Sequence, residues 1–135
     1  MGISIHDGIE KFFESSAFAV VGASPKRDKY GNKVLRCYMQ NGLTAYPINP
    51  IHKEIEGLAC YKNVSELPDT VQSISIITPS QVTEKVVIEA IKKGIKNIWM
   101  QPGAESDQAI KDCEINGVNV LARGPCILVV LGFKN

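Results

Sequence analysis

The sequence contains no continuous run of about 18 apolar residues, the length at which a membrane-spanning helix is predicted. Its first residues lack the apolar core of a secretory signal, and His6 stands where N-myristoylation requires Ser or Thr. The formal net charge is only +1, which does not indicate attraction to nucleic acid or to an anionic membrane. We therefore expect a cytoplasmic protein with no nucleic-acid or membrane partner.

The usual sequence patterns of metal sites are also absent. No two cysteines have the C-x-x-C spacing, and no histidine lies at metal-ligand spacing from a cysteine. We predict no metal site. The cysteines are expected to be reduced thiols, most of them buried; they are Cys37, Cys60, Cys113 and Cys126.

Apolar segments alternate with amphipathic segments along the chain. Strands are predicted over residues 17–21, 43–49, 71–78, 95–100 and 118–122. Helices are predicted over residues 5–15, 33–42, 80–93 and 106–116, and residues 127–131 form either a short helix or a strand. The alternation predicts one α/β domain over residues 1–135, with a five-stranded parallel sheet flanked by helices.

Three local features refine this prediction. Pro47 cannot donate a ladder hydrogen bond, so this end of the second strand is expected at the edge of the sheet or past the last pairing. Glu89 and Lys93 have the spacing of an ion pair within a helix, and Ser106 or Asp107 can cap the following helix. The inward face of the helix over residues 80–93 is predicted from its apolar side chains: Val82, Val86, Val87, Ala90 and Ile91.

Ligands of parallel sheets bind at the carboxyl ends of the strands, so the loops there are the candidate site. The first loop begins at Gly22, which ends an apolar strand before a predicted helix, a pattern that suits a phosphate site. It is not the dinucleotide fingerprint G-x-G-x-x-G, because Ser24 and Arg27 stand where glycines are required. The Ser24 hydroxyl and three basic residues favour a pyrophosphate over a plain turn, which stays an alternative; the basic residues are Lys26, Arg27 and Lys29.

The second loop distinguishes between nucleotides. An NAD site uses Asp or Glu at the end of the second strand to bind the ribose hydroxyls, whereas this chain has Asn49 and Pro50 there, followed by Lys53. A lysine attracts a phosphate that a carboxylate would repel. The pattern therefore predicts an adenosine ligand with an extra ribose phosphate, as in coenzyme A (CoA) or NADP. In the alternative, Lys53 is an ordinary surface lysine.

Two further loops carry small or backbone-exposing residues at strand ends. Thr78 and Pro79 follow the third predicted strand, and residues 101–104 (Gln-Pro-Gly-Ala) follow the fourth. Each loop alone is compatible with a helix cap or a turn. Together the four loops predict one elongated binding edge.

Several short segments, in order, resemble the stand-alone CoA-binding domain proteins. The same Rossmann-like nucleotide-binding module forms the N-terminal part of the succinyl-CoA synthetase α subunit and of ADP-forming acyl-CoA synthetases. The resemblance extends from about residue 12 to residue 131. It is carried by residues 20–24 (Val-Val-Gly-Ala-Ser), 47–50 (Pro-Ile-Asn-Pro), 76–79 (Ile-Ile-Thr-Pro), 89–94 (Glu-Ala-Ile-Lys-Lys-Gly) and 99–101 (Trp-Met-Gln).

The resemblance implies a division of the site along the CoA molecule. The pyrophosphate would be held by Gly22, Ala23 and Ser24, with Lys26 and Lys29 adding positive charge.

The adenosine end and its ribose phosphate would be bound by Asn49, Pro50 and Lys53. The surface along which the adenine or the pantetheine lies would be lined by Thr78, Pro79 and Val82. The pantetheine arm would be approached by Gln101 and Gly103. The first loop is longer and more basic than in the synthetases.

The resemblance implies that this chain binds CoA but lacks the catalytic histidine of the synthetases. The synthetases carry a phosphohistidine on a domain that has no counterpart in this chain, and neither His6 nor His52 matches that segment. No nucleophile–base arrangement or pair of carboxylates in one motif is visible. We expect a non-catalytic CoA or acyl-CoA binder that acts as carrier, sensor or accessory subunit.

Two alternative functions stay open. The chain could be an NADP-dependent oxidoreductase or nucleotide-sensing regulator, although no substrate domain follows the fifth strand. It could also be a ligase subunit whose other domains lie on a partner protein. Either a partner protein or a homo-oligomer is compatible with the sequence. Cys126, near the same edge, could form a mixed disulfide with the CoA thiol or be a buried cysteine.

Overall fold

The computed structural model describes residues 4–135, and a five-stranded parallel sheet forms its centre. Seven strands occur in this range: β1 (Ala17–Val21), β2 (Ala45–Ile48), β3 (Glu54–Ile55), β4 (Leu58–Ala59), β5 (Val71–Ile76), β6 (Asn97–Met100) and β7 (Asn119–Leu121). The parallel sheet has the order β2-β1-β5-β6-β7, while β3 and β4 form a small antiparallel hairpin. The predicted fold is therefore confirmed, and Pro47 does lie on an edge strand.

Helices cover both faces of the sheet, which is why the strands are apolar on both sides. The helices are α1 (Ile5–Phe12), α2 (Tyr30–Gln40), α3 (Ser80–Lys93), α4 (Asp107–Ile115) and α5 (Ile127–Leu131), with a 3₁₀ turn at Val64–Glu66. Residues of α3 and α4 pack on one face around Ile74 and Ile98. Residues of α1, α2 and α5 pack on the other around Phe18 and Trp99. All five residues of β1 are buried, as expected for a central strand.

Some element boundaries differ from the prediction. Helix α1 ends at Phe12, and the Ser15 hydroxyl instead accepts from the backbone of Gln72 (3.0 Å) and so joins the sheet. Helix α2 begins at Tyr30, three residues before the predicted start, because the Lys29 carbonyl accepts the first helical bonds. Residues 127–131 form a helix rather than a strand. Ser106 caps α4 as predicted, through a 3.2 Å bond from the backbone of Ala109.

Two predictions about α3 were wrong. Glu89 and Lys93 do not pair with each other: Glu89 accepts from the backbone of Val64 (3.1 Å), and Lys93 binds Asp69 (3.1 Å). Both side chains prefer partners on the connection between β4 and β5. Val82 was assigned to the inward face, but 44% of its surface is exposed.

Two of the four thiols are buried, fewer than expected. Cys37 and Cys113 are buried in helices, Cys60 and Cys126 are half-buried, and all four are free. Within residues 4–135, no helix has the length and apolar character to cross a bilayer.

Candidate functional site

The predicted site residues follow the carboxyl ends of four adjacent strands, β2, β1, β5 and β6. Neighbouring loops contact each other directly. The Asn49 amide after β2 donates to the carbonyl of Ala23 after β1 (3.0 Å). The backbone of Ile77, after β5, donates to the carbonyl of Val21 (2.8 Å). The sheet thus brings the four loops to one edge.

At the centre of this edge, the turn at Gly22 packs against a second glycine at the start of α2. Gly22 has φ +96°, and a Cβ there would lie 2.5 Å from the carbonyl oxygen of Ile77. Gly31, in the first turn of α2, lies against the same turn: a Cβ on Gly31 would be 2.0 Å from the oxygen of Gly22. The backbone of α2 therefore touches the turn at a distance that only glycine allows.

The sequence pattern predicts a role for Gly22 but not for Gly31. The available signal was a second glycine close to a predicted helix start. Such a glycine permits close packing between a helix and the preceding strand, as the third glycine of the dinucleotide fingerprint does.

Because of this packing, the start of α2 lies at the carboxyl edge of the sheet, and basic residues surround it. Lys29 occupies the cap position without a side-chain cap bond, and the side chains of Lys26 and Lys29 are exposed. The Ser24 hydroxyl accepts from the backbone of Lys26 (3.2 Å) and keeps its proton for a further acceptor. Backbone N–H groups at a helix start, a hydroxyl donor and two cations suit a phosphate.

A buried polar network, not foreseen from the sequence, fixes the shape of the first loop. Asn32, fully buried, donates to the Ser24 carbonyl (2.8 Å) and to Glu56 (3.0 Å). Its amide oxygen accepts from Arg36 (2.7 Å), which also donates to the Arg27 carbonyl (2.8 Å). The network connects α2, the first loop and the turn between β3 and β4.

Glu56 alters the expected charge of the first loop. Its carboxylate lies 3.5 Å from the Arg27 guanidinium and also accepts from Asn32. Arg27 therefore has a protein partner, whereas Lys26 and Lys29 extend into solvent.

The second loop is ordered by Asn49. Besides its bond to Ala23, its side-chain oxygen accepts from the backbones of Ile51 (2.8 Å) and His52 (2.9 Å). Pro50 and Lys53 are exposed on the loop that Asn49 orders. The Lys53 carbonyl accepts from the backbone of Cys60 (2.9 Å), which ties this lysine to the β3–β4 hairpin.

The third loop lies beside the glycine turn. A Cβ at Gly22 would be 3.3 Å from the methyl group of Thr78, so the two residues are neighbours. The Thr78 hydroxyl is bonded to that of Thr83 (2.7 Å). Pro79 precedes α3 and is exposed, as is Val82 one turn later. The exposure of Val82 contradicts its predicted inward position but leaves it accessible to a ligand.

The fourth loop contains the most unusual polar group of the edge. Gln101 is fully buried, and its Oε1 accepts from the backbone of Ile127 (2.8 Å) and from the Tyr30 hydroxyl (3.3 Å). Its Nε2 finds no hydrogen-bond partner anywhere in residues 4–135. A buried amide left in this state costs about 1–3 kcal/mol, which an acceptor on a ligand would recover. Gly103 is exposed on the same loop, with φ +96°.

Two thiols lie beside the residues that bind Gln101: Cys126 contacts Tyr30, and Cys37 lies near Ile127. Burial and the neighbouring Cys126 raise the pKa of the Cys37 thiol to about 11. Burial also raises the pKa of Tyr30, and Cys126 contributes to that shift. Both groups are therefore protonated at neutral pH.

The rest of residues 4–135 offers a different kind of surface. A cleft of about 1080 Å³ lies at the opposite edge of the sheet. Its charges are mixed, with Lys11 and Lys96 accompanied by Glu14, Asp69 and Glu114. No cluster of His, Cys, Asp and Glu able to hold a metal ion occurs in the described range.

Comparison with known proteins identifies the module. Residues 16–132 match the family model described as CoA binding domain. The chain is 33% identical over 88 residues to acetate–CoA ligase (ADP-forming) I of Archaeoglobus fulgidus, covering 65% of this chain and 13% of that enzyme. It is 32% identical over 91 residues to the α subunit of acetate–CoA ligase (ADP-forming) II of Pyrococcus furiosus, covering 67% of this chain and 20% of the subunit. The chain thus spans one fifth or less of these relatives.

Smaller proteins share the fold as well. A solved structure of a conserved hypothetical protein from Pyrococcus furiosus has a TM-score of 0.81 and 42% identity, covering 84% of this chain and 97% of that one. The resemblance to acyl-CoA synthetase subunits is confirmed, and the chain belongs to the CoA binding domain family.

Proposed function

We propose that the protein binds CoA or an acyl-CoA along the carboxyl edge of its sheet, without catalysing a reaction on its own. The observation that carries this proposal is the contact between Gly22 and Gly31, which brings the start of α2 onto a turn flanked by exposed lysines. Membership of the CoA binding domain family supports the choice of ligand. Residues 1–135 would act as one binding domain.

The pyrophosphate would lie at the centre of the edge. There it meets the backbone of Gly22 and Ala23, the Ser24 hydroxyl and the charges of Lys26 and Lys29. The short distance between α2 and the turn supports this position, because N–H groups at a helix start favour an anion.

The adenosine end would lie at β2. Lys53, exposed on the loop that Asn49 orders, would bind the ribose phosphate. Pro50 offers an apolar surface beside it. Because the Asn49 side chain is already bonded to Ala23, Ile51 and His52, its role would be to hold the loop in position.

The pantetheine arm would run past Thr78, Pro79 and Val82 toward Gln101 and Gly103. Neighbouring strands lie about 4.8 Å apart, so the ends of β2 and β6 are separated by about 14 Å, a span that suits an extended molecule such as CoA. The unpartnered Nε2 of Gln101 would donate to an amide carbonyl of the arm.

A carrier, sensor or accessory subunit is the role that fits these features. The matched relatives are ligases or ligase subunits many times longer than the shared segment. Any acyl transfer would then depend on groups supplied by a partner protein.

Titration calorimetry with CoA, NADP and NAD in parallel tests the proposal. We expect saturable binding of CoA and weak or no heat from NADP and NAD, measured on protein freed of bound ligand. NADP is the informative competitor, because Lys53 could also meet its ribose phosphate. A preference for NADP would favour an oxidoreductase or a nucleotide-sensing regulator. If none of the three ligands produced a binding heat, the proposal would be refuted.

A further inference from the structure

The loop after β7 brings a half-buried thiol to the far end of the same edge. Cys126 directly precedes Ile127, whose backbone N–H donates to Gln101 (2.8 Å). The thiol of Cys37 lies 3.9 Å from the carbonyl oxygen of Ile127. Cys126 is thus held against the fourth loop by the residue that follows it.

Gln101 provides an independent sign that something binds there. Its side chain is fully buried and fixed by two bonds to Oε1, yet Nε2 has no partner within residues 4–135. The two bonds to Oε1 come from Ile127 and from Tyr30, and both of these residues adjoin Cys126. The unsatisfied donor and the accessible thiol therefore belong to one small region.

The order of the strands relates this region to the proposed ligand. Along this carboxyl edge, Lys53 follows β2 at one end of the strand order, while Gln101 and Cys126 follow β6 and β7 toward the other end. A CoA molecule whose ribose phosphate lies at Lys53 and whose pyrophosphate lies at Gly22 extends toward β6. Its thiol would then end beside Cys126.

We propose that Cys126 is a modification site that forms a mixed disulfide with the thiol of CoA. The inference rests on the proposed function, because recognition of the nucleotide is what would bring the sulfur atoms together. The reactant is a disulfide of CoA, such as CoA disulfide, which also serves as the oxidant.

The exchange needs no oxidant other than CoA disulfide itself. The Cys126 thiolate attacks one sulfur of CoA disulfide, the S–S bond of the reagent breaks, and a bond forms between Cys126 Sγ and the attacked sulfur. The second CoA leaves as a thiolate and takes up the proton that Cys126 released. Cys37 stays protonated because its pKa is about 11, so it is a poor nucleophile for reversing the step.

Intact-mass spectrometry and peptide mapping test the inference on the reduced full chain. Incubation with CoA disulfide should add one CoA to the Cys126 peptide, and dithiothreitol should remove it. Cys126→Ser should abolish the adduct. Cys60→Ser is the matched control, because Cys60 is also half-buried but its backbone is bonded to Lys53, at the other end of the edge. This variant should be labelled like the wild type.

Cystamine, a disulfide without a nucleotide, serves as the comparison reagent. It shows whether labelling of Cys126 depends on recognition of the nucleotide or only on the reactivity of the thiol. Binding raises the effective concentration of a reactant to the mM range, so with about 0.1 mM reagent CoA disulfide should label Cys126 at least about tenfold faster than cystamine. Equal rates would overturn the inference. So would an unlabelled Cys126 in wild-type protein that binds CoA in calorimetry, whereas failure of that binding would overturn the proposed function itself.

Discussion

Replacement of Gly31 by alanine is expected to weaken CoA binding by at least about tenfold and to lower stability by about 1–3 kcal/mol or more. The new Cβ would lie 2.0 Å from the carbonyl oxygen of Gly22. Neither atom can rotate away, because the oxygen belongs to the backbone and the Cβ is fixed directly to it. Helix α2 must then move off the turn, which opens the proposed phosphate site. Thermal or urea unfolding and calorimetry with CoA measure the two effects.

Gly124→Ala is the matched control for this variant. A Cβ there would meet Cδ1 of Ile5 at 2.7 Å, the end of a side chain that can rotate. Neither glycine has a positive φ, so the comparison isolates the steric contact. Unchanged stability and CoA affinity in Gly31→Ala would contradict the close approach of α2 to the turn.

Lys53→Glu should weaken CoA binding by about 10- to 100-fold, because a charge-assisted hydrogen bond contributes about 1.5–3 kcal/mol. Dephospho-CoA, which lacks the ribose phosphate, should be affected much less. The physical reason is that the lost contact is to that phosphate alone. Calorimetry of both ligands at one moderate salt concentration makes the comparison, because salt screens exposed charges.

A control for net charge is available on α4. Lys111 is exposed and follows β6 on a different part of the molecule, so Lys111→Glu makes the same charge change away from the proposed adenosine end. It should leave both affinities nearly unchanged. Equal losses for CoA and dephospho-CoA in Lys53→Glu would remove Lys53 from the ribose-phosphate position.

Features that depend on residues close together in the chain could be predicted from the sequence. The predicted bounds of β1 match the observed strand, and Ser106 caps α4 by bonding a residue three positions away, as predicted. The strand order could not be derived residue by residue, but alternation of strands and helices restricts a chain of this length to few parallel topologies. For the same reason the four loops could be assigned to one edge.

Features that depend on distant partners could not be predicted. Asn32 and Glu56 are separated by 24 positions, and no local pattern indicates that an amide in α2 meets a carboxylate on a hairpin. Lys93 binds Asp69 in preference to Glu89 because the fold places the connection before β5 beside the end of α3. The unpartnered Nε2 of Gln101 likewise becomes visible only when the surrounding backbone is known.

A crystal structure with CoA bound would show directly whether the ligand lies along the carboxyl edge. We expect the ribose phosphate at Lys53, the pyrophosphate at the Gly22 turn and the pantetheine arm bonded to Nε2 of Gln101. CoA bound elsewhere, for example in the mixed-charge cleft between Lys11 and Lys96 at the opposite edge, would contradict this expectation.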